Sequence, residues 1–452
     1  MPGRWVRDHW TDLVGVAVVI AVVVWAAMRF FGADDTGTVS SAAAPLSASE
    51  RVDALSAAVA TDPTNVARVQ ELTLYYLSEG ATTGDPSFYE RADETISSAE
   101  SVIEDDPALQ ILRGQLFLSL HRFADAEELA LEALETSPGN VGALETIVDS
   151  QVELGRYPEA EESLQSLLNA QTALSSLARL SYFRELNGDL NGATQAMQQA
   201  IEAGSGTPTE EATVTTLLGD LRLRTGDYER AEDAYNQALE LRSDFSPALT
   251  GQARLAAARG DIDNAISQLQ TVTDRVPSLG ALLLKSELEA FEGDAEAAMD
   301  TGELLNAVLA LQRDSGQIID LELADYAVSG DASVLDTENG SPLEISEATY
   351  SARPTIYGAS VLAWASYLTN DLTTAEEKAR ESLLLGSLDP VVNYRAGRIL
   401  ADVGDRTAAA EAIGRALEHD PSGTFRHRSD IVELAEELDL PIPQTWAQAT
   451  VS

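Results

Sequence analysis

A short phrase recurs along the chain at nearly constant spacing. It is clearest at residues 226–241, GDYERAEDAYNQALEL. Aligning the chain on the alanine inside this phrase gives one series of positions: Ala92, Ala126, Ala160, Ala193, Ala231, Ala265, Ala298, Ala375 and Ala409. Consecutive members lie 34, 34, 33, 38, 34, 33, 77 and 34 residues apart. In a chain of 452 residues, such a period predicts a repeat array rather than a set of unrelated globular domains.

Each unit is predicted to be two helices joined by a tight turn. Apolar residues within a unit return every three or four positions, which is helical spacing. Five positions before the alanine stands a residue suited to the left-handed conformation that ends a helix: Gly155, Gly188, Gly226, Gly260, Gly293, Asn370 and Gly404. The 77-residue interval leaves room for one degenerate unit with an insertion, around residues 313–355.

These units resemble tetratricopeptide repeats. Residues 112–138 carry that family's glycine, aromatic, two alanines and proline in the form of Gly114, Phe117, Ala126, Ala133 and Pro138, and residues 218–239 and 396–421 carry related patterns. The resemblance implies an all-α fold, a right-handed superhelical solenoid of helix-turn-helix repeats with a concave groove lined mainly by the first helix of each unit. Small alanines let the paired helices approach closely.

The chain is divided accordingly. The predicted segments are a short amino-terminal segment (1–12), a transmembrane helix acting as a signal anchor (13–31), a flexible linker (32–46), amino-terminal capping helices (47–72), about nine to ten tandem repeats (73–422), and a carboxyl-terminal capping helix with its tail (423–452).

The segment at 13–31 is predicted to cross a lipid bilayer once. It begins with LVGVAVVIAVVVWAAM, which is long enough to span the hydrocarbon core if Arg29 extends to the interface. Arg4 and Arg7 precede it, whereas Asp34 and Asp35 follow, and this bias favours a cytoplasmic amino terminus with an extracytoplasmic repeat domain. The alternative is a cleaved signal peptide, with small residues available for cleavage at 40–45.

The charge of the chain restricts which partners it can bind and indicates the kind of organism it comes from. The chain has 74 acidic and 29 basic residues, for a formal net charge of −45. Nucleic acid is excluded as a partner by repulsion from the phosphates. Concentrated salt screens such self-repulsion, so the composition favours a halophilic or halotolerant source over an ordinary acidic bacterial protein.

Signatures of catalysis are lacking. The chain has no cysteine, and no phosphate loop, HExxH, GxSxG or dinucleotide glycine pattern. The four histidines, His9, His121, His419 and His427, are spaced unlike metal ligands and are interpreted as solvated turn residues. We therefore expect no enzyme activity, no cofactor and no metal; an active site within 313–355 is the remaining enzymatic alternative.

Positions that match the family's groove supply the candidate binding residues: Arg179, Tyr182, Arg254, Tyr357, Trp364, Tyr394, Arg395 and Arg398. Arginine and aromatic side chains together suit an acidic or carboxylate-ended peptide. Pairing of these arginines with local carboxylates is the alternative. The lysines and asparagines of the family's clamp for carboxyl-terminal peptides are absent from these positions.

The sequence thus predicts a membrane-anchored, non-enzymatic scaffold that binds protein or peptide partners in the groove of its solenoid. An alternative is a targeting or assembly subunit of an envelope enzyme or export complex whose active site lies in another chain. A cytoplasmic solenoid is a further alternative, and the oligomeric state stays open.

Overall fold

The repeat region is built from antiparallel α-helices. The structure, a computed structural model, describes residues 48–204, 206–318, 321–329, 340–418 and 427–449. Its helices are α1 (Ala48–Thr61), α2 (Val66–Thr83), α3 (Ser87–Glu100), α4 (Pro107–Ser119), α5 (Phe123–Thr136), α6 (Val141–Glu153), α7 (Tyr157–Ala170), α8 (Leu174–Leu186), α9 (Leu190–Ala203), α10 (Pro208–Arg224), α11 (Tyr228–Leu241), α12 (Ser246–Ala258), α13 (Ile262–Arg275), α14 (Leu279–Phe291), α15 (Ala295–Asp314), α16 (Leu321–Ser329), α17 (Pro342–Ala352), α18 (Ile356–Leu368), α19 (Leu372–Ser382), α20 (Pro390–Asp402), α21 (Arg406–Ala416), α22 (Arg428–Glu437) and α23 (Gln444–Ala449).

The recurring Gly-Asp pair makes the turn inside each unit. Gly226 has a φ of 73°, a left-handed conformation that ends α10. The side chain of Asp227 then accepts a hydrogen bond from the backbone N–H of Arg230 and caps α11. The other six predicted turn residues are also left-handed, and aspartate caps recur before α9, α15, α19 and α21.

Small residues let the helices of neighbouring units approach closely. All nine alanines of the repeat series are buried, with at most 2 % of their surface exposed. The ring of Tyr235 lies between Gly219 and Gly251, where an added Cβ would come within 2.5 and 2.4 Å of its Cε1 atom. Tyr235 therefore joins one unit to the next through space that only glycine leaves open.

A helix pair occupies the stretch where the repeat period lapses. Helices α16 and α17 pack on each other and on α18, in the way that first and second helices pack elsewhere in the array. Helix α16 is short, and all nine of its residues are buried, including Glu322 and Asp325.

Consecutive turns of the superhelix pack directly on each other. Arg353 Nε donates to Glu153 Oε2 at 3.0 Å, across 200 positions of sequence. Nearby, the backbone N–H of Ile356 donates to the Tyr157 hydroxyl at 2.9 Å. A backbone hydrogen bond of 3.0 Å also joins Ile318 N to the Leu120 carbonyl. One superhelical turn therefore takes about six repeats.

Contact between turns fills much of the concave side. The even-numbered helices are the first helices of their units and face inward; in α18 every residue from Ile356 to Ser366 is buried. The outer helix α11, by contrast, buries only Ala231, Ala234, Tyr235 and Ala238. The open groove that the resemblance implies is thus replaced over much of its length by a core shared between turns.

The membrane prediction falls outside the described residues. Segments 1–12, 13–31 and 32–46 all lie before Ala48, and so does His9. Within the described ranges, no helix is both long and apolar enough to cross a bilayer.

Candidate functional site

The predicted arginines of the inner surface are mostly held by carboxylates of this chain. Arg179 is buried and contacts Asp149 through Nε–Oδ1 and Nη2–Oδ2 distances of 2.8 and 2.7 Å. Burial raises the pKa of Asp149, and the Arg179 guanidinium opposes that rise. Arg395 is also buried; it donates to Asp325 Oδ1 at 2.8 Å and to Ser329 Oγ at 2.6 Å, both on α16.

The predicted aromatic residues lie in the core. Tyr182, Tyr357, Trp364 and Tyr394 are all buried. The Trp364 and Tyr394 ring centroids lie 5.7 Å apart, and the Tyr394 ring lies 4.7 Å from that of His427. These side chains stabilise the contact between inner helices and the closing helix α22, and a ligand would reach them only if those helices separated.

Arg398 is partly exposed, whereas Arg254 is buried in the wall of a cavity. Arg398 keeps a quarter of its side chain exposed, and its guanidinium contacts Asp402 and, at 3.1 Å, Glu437 on α22. Arg254 alone among the eight candidates lines a cavity of about 180 Å³. The binding role of all eight residues stays a prediction.

The cavity lies where the first and second superhelical turns meet. Its walls come from the region where α2 ends and α3 begins, from the inner helices α10, α12 and α14, from Gln312 on α15, from Gln317, and from Glu322 on α16. Its size is close to that of a cavity that accepts benzene, about 150 Å³. Apolar side chains supply much of the lining: Leu217, Phe245, Pro247, Leu279 and Ala281.

An arginine, a tyrosine and an aspartate form one fixed polar group at the cavity. The Tyr235 hydroxyl donates to Asp220 Oδ1 at 2.7 Å, and Arg254 Nη1 lies 3.3 Å from the same oxygen. Burial raises the pKa of Asp220, while Arg254 and the Tyr235 hydroxyl act in the opposite direction. The positive charge of Arg254 is therefore largely balanced by the Asp220 carboxylate in the cavity wall.

Three other polar groups of the lining have acceptor atoms that make no hydrogen bond to any residue the structure describes. Both carboxylate oxygens of Glu322 lack a hydrogen bond, although only 3 % of this residue is exposed. The Oε1 atoms of Gln312 and Gln317 are also buried and also lack a hydrogen bond. Since buried polar atoms in folded proteins are nearly always hydrogen-bonded, these acceptors mark the cavity as a candidate binding site.

Two histidines, His121 and His427, are buried, so their interpretation as solvated turn residues is wrong. His121 stands at the left-handed position of the turn between α4 and α5, with a φ of 58°, and stacks on Phe123. It is buried at the cavity because the second superhelical turn packs over this turn at Ile318. His427 is buried against Tyr394 and pairs with Asp430. His419 lies outside the described residues.

The structure also bears on metal binding. No group of three or more histidine or carboxylate side chains there is arranged to hold a metal ion. The cavity is suited to binding, because its walls are largely apolar and the acceptors of Glu322, Gln312 and Gln317 are available to a ligand.

Comparison with known proteins identifies the repeats. Two family models, both described as tetratricopeptide repeat, match the chain: one over residues 187–248, 216–279 and 250–314, the other over residues 117–180. No curated protein matches the chain.

Solved structures with similar folds share little sequence with this chain. The crystal structure of PilW, a type IV pilus biogenesis factor, is 19 % identical, with a TM-score of 0.38, and the match covers 46 % of this chain and 96 % of that one. A tetratricopeptide repeat protein from Parabacteroides merdae is 16 % identical, with a TM-score of 0.37, covering 55 % and 98 %. MamA is 20 % identical, with a TM-score of 0.29, covering 36 % and 93 %. Likeness at this level carries no information about ligands.

The family models and the helix geometry agree on the repeat type. Five of the left-handed turn glycines and six of the nine buried alanines fall within the matched ranges: Gly155, Gly188, Gly226, Gly260 and Gly293, with Ala126, Ala160, Ala193, Ala231, Ala265 and Ala298. The chain contains tetratricopeptide repeats over residues 117–180 and 187–314.

Proposed function

We propose that this protein is a non-enzymatic scaffold that binds another protein at the cavity between its two superhelical turns. Repeat solenoids bind partners on their concave surfaces. In this chain the inner helices fill much of that surface, and the cavity is a place where room and unpaired polar groups remain together. That coincidence is the observation on which the proposal rests.

The proposal includes a membrane tether. The apolar segment 13–31 would anchor the chain, and the small and polar residues of 32–46 would connect it to α1. Because positive charges precede the segment and negative charges follow it, the repeats would lie outside the cytoplasmic membrane.

Blocking the cavity tests the binding proposal. Gly280 lines the cavity, and an added Cβ at this helical position meets nothing within 4 Å. Gly280→Phe would therefore narrow the cavity at little cost to the fold. Gly414→Phe is the matched control, because Gly414 is also helical and equally open but lies on α21, away from the cavity.

The measurement is quantitative mass spectrometry of proteins that copurify with the tagged full chain from detergent-solubilised membranes of its own cells. We expect a partner that is retained by the wild type and by Gly414→Phe and depleted at least tenfold by Gly280→Phe. Identical profiles for all three proteins, or no enriched partner in any of them, would count against the proposal.

A reporter fused to the carboxyl terminus tests the location. Alkaline phosphatase folds only where its disulfides form, in oxidising compartments outside the cytoplasm. Its activity is expected in the fusion. An inactive phosphatase together with an active cytoplasmic reporter at the same position would place the repeats inside.

A further inference from the structure

The clearest unsatisfied group in the cavity is the carboxylate of Glu322. It lies in the first turn of α16, a helix buried on all sides, and neither oxygen has a hydrogen bond or an ion pair within the described residues. Removing a carboxylate from water without a partner is costly, and buried charges in proteins are therefore paired. None of the described residues pairs with this carboxylate, so its pairing group comes from outside the described part of the chain.

The neighbouring polar atoms also favour a ligand that donates hydrogen bonds. The Oε1 atoms of Gln312 and Gln317 also lack donors, so three side chains of the cavity offer acceptors to a ligand. A group with several N–H donors and a positive charge matches this set. Ammonium and guanidinium ions are such groups, and neither can accept a hydrogen bond.

The charges of the cavity lining also favour a cationic ligand. Among the described residues that line the cavity, Asp220 and Glu322 are the two carboxylates and Arg254 is the one arginine or lysine. Asp220 already pairs with Arg254 at 3.3 Å. Within this described lining, the charge of Glu322 is therefore the one without an opposite charge.

The apolar lining and the whole-chain charge restrict the ligand further. Leu217, Leu279 and Pro247 offer a surface for methylene groups. Lysine and arginine side chains bury such methylenes while their charged ends bond elsewhere. A formal net charge of −45 would also attract a basic partner over a long range.

We propose that the cavity receives a lysine or arginine side chain of a basic partner protein, with its cationic end on Glu322 and its methylenes along Leu217 and Leu279. This proposal rests on the scaffold function stated above and names the chemistry by which the partner is recognised. A free alkylamine presents the same chemistry from another source.

Peptide titration tests the proposal directly. The probes are a blocked pentapeptide with one lysine between glycines, the same peptide with acetyl-lysine, and n-butylamine, each titrated into the full chain in detergent and followed by ligand-observed NMR into the millimolar range. The variants are Glu322→Gln, which removes the charge with little change in shape, and Glu240→Gln, which removes one exposed charge on α11 away from the cavity.

We expect the lysine peptide to bind the wild type and Glu240→Gln equally, and to bind Glu322→Gln at least tenfold more weakly. The acetyl-lysine peptide should bind the wild type at least tenfold more weakly than the lysine peptide. Equal affinities for the two peptides, no effect of Glu322→Gln, or no binding to the wild type would each overturn the proposal. If n-butylamine binds as tightly as the lysine peptide, the cavity is a site for a small amine. That result would overturn the proposal that it receives a side chain of a partner protein.

Copurification separates this proposal from the scaffold function. If Gly280→Phe loses the cellular partner while Glu322→Gln retains it fully, the scaffold function stands and the cationic contact is wrong. If neither variant changes the partner, the cavity is not the binding site and both fail. Circular dichroism and a melting temperature no lower than that of the wild type verify that Glu322→Gln is folded.

Discussion

Arg353 and Glu153 form a buried ion pair between positions 200 residues apart in sequence. Both are almost fully buried, and the Arg353 guanidinium also lies 5.1 Å from the Phe123 ring centroid. The pair therefore joins three separate helical units, and it fixes how the second superhelical turn sits on the first.

Removing the arginine should loosen the contact between turns. Arg353→Met leaves the Glu153 carboxylate buried without its cation, which typically costs about 3–5 kcal/mol. Hydrogen exchange of the α6 and α18 amides measures the local free energy of opening, which suits a repeat array that need not unfold in one step. The double variant Arg353→Met with Glu153→Gln should recover part of the loss. A double variant less stable than Arg353→Met alone would contradict this explanation.

Two turn glycines with similar backbone angles should respond differently to alanine. Gly155 has a φ of 67° and an added Cβ would lie 2.1 Å from the Pro354 carbonyl oxygen, whereas Gly260 has a φ of 84° and an open neighbourhood. Gly260→Ala should cost about 1–2 kcal/mol, the strain of the left-handed backbone. Gly155→Ala should cost clearly more, because the second superhelical turn must also move.

Thermal melting measures the stability of the two variants, and solution scattering measures their radius of gyration. Gly155→Ala should expand the protein, and Gly260→Ala should leave its dimensions unchanged. Equal effects of the two substitutions would show that Gly155 is needed for its backbone conformation alone.

The repeat architecture could be predicted from sequence because its signals are local. A left-handed glycine, an aspartate cap and a buried alanine each act within one unit, and Gly226, Asp227 and Ala231 show all three. The contact between turns has no local signal, since Glu153 and Arg353 meet only through the accumulated curvature of about six units. A cue was present in α18, where IYGASVLAWASYL has apolar residues around the whole helix and thus indicates burial on every face.

The cavity was missed for a related reason. Glu322 lies on α16, in the stretch where the period fails, so family positions could not be transferred to it. His121 carried a usable signal, because it stands at the left-handed turn position that glycine fills in most other units. A non-glycine residue there is uncommon and indicates a constraint.

Neutralising Glu322 should stabilise the unliganded protein. Glu322→Gln replaces an unpaired buried carboxylate with a neutral group, and we expect the free energy of unfolding to rise by about 1–3 kcal/mol. Urea denaturation measures the change, with Glu240→Gln as a control that should stay within about 0.5 kcal/mol of the wild type. Destabilisation by Glu322→Gln would mean that the carboxylate already has a stabilising contact in the free chain.

Salt should raise the stability of the whole chain. With 74 acidic and 29 basic residues the folded state repels itself, and the Debye length falls to about 3 Å at 1 M salt. We expect the melting temperature to increase between low salt and molar KCl. An unchanged or lower value would contradict the halophilic interpretation of the composition.

The account depends most on direct contact between consecutive superhelical turns, and cross-linking measures that contact. The chain has no cysteine, so Arg156→Cys and Ala352→Cys can be introduced as the only thiols, beside the contact of Gly155 with Pro354. A short bismaleimide should link them within one chain in high yield, and Arg156→Cys with Glu240→Cys should give no link. Failure of the first pair to link while the protein is folded would show an open superhelix and contradict the account.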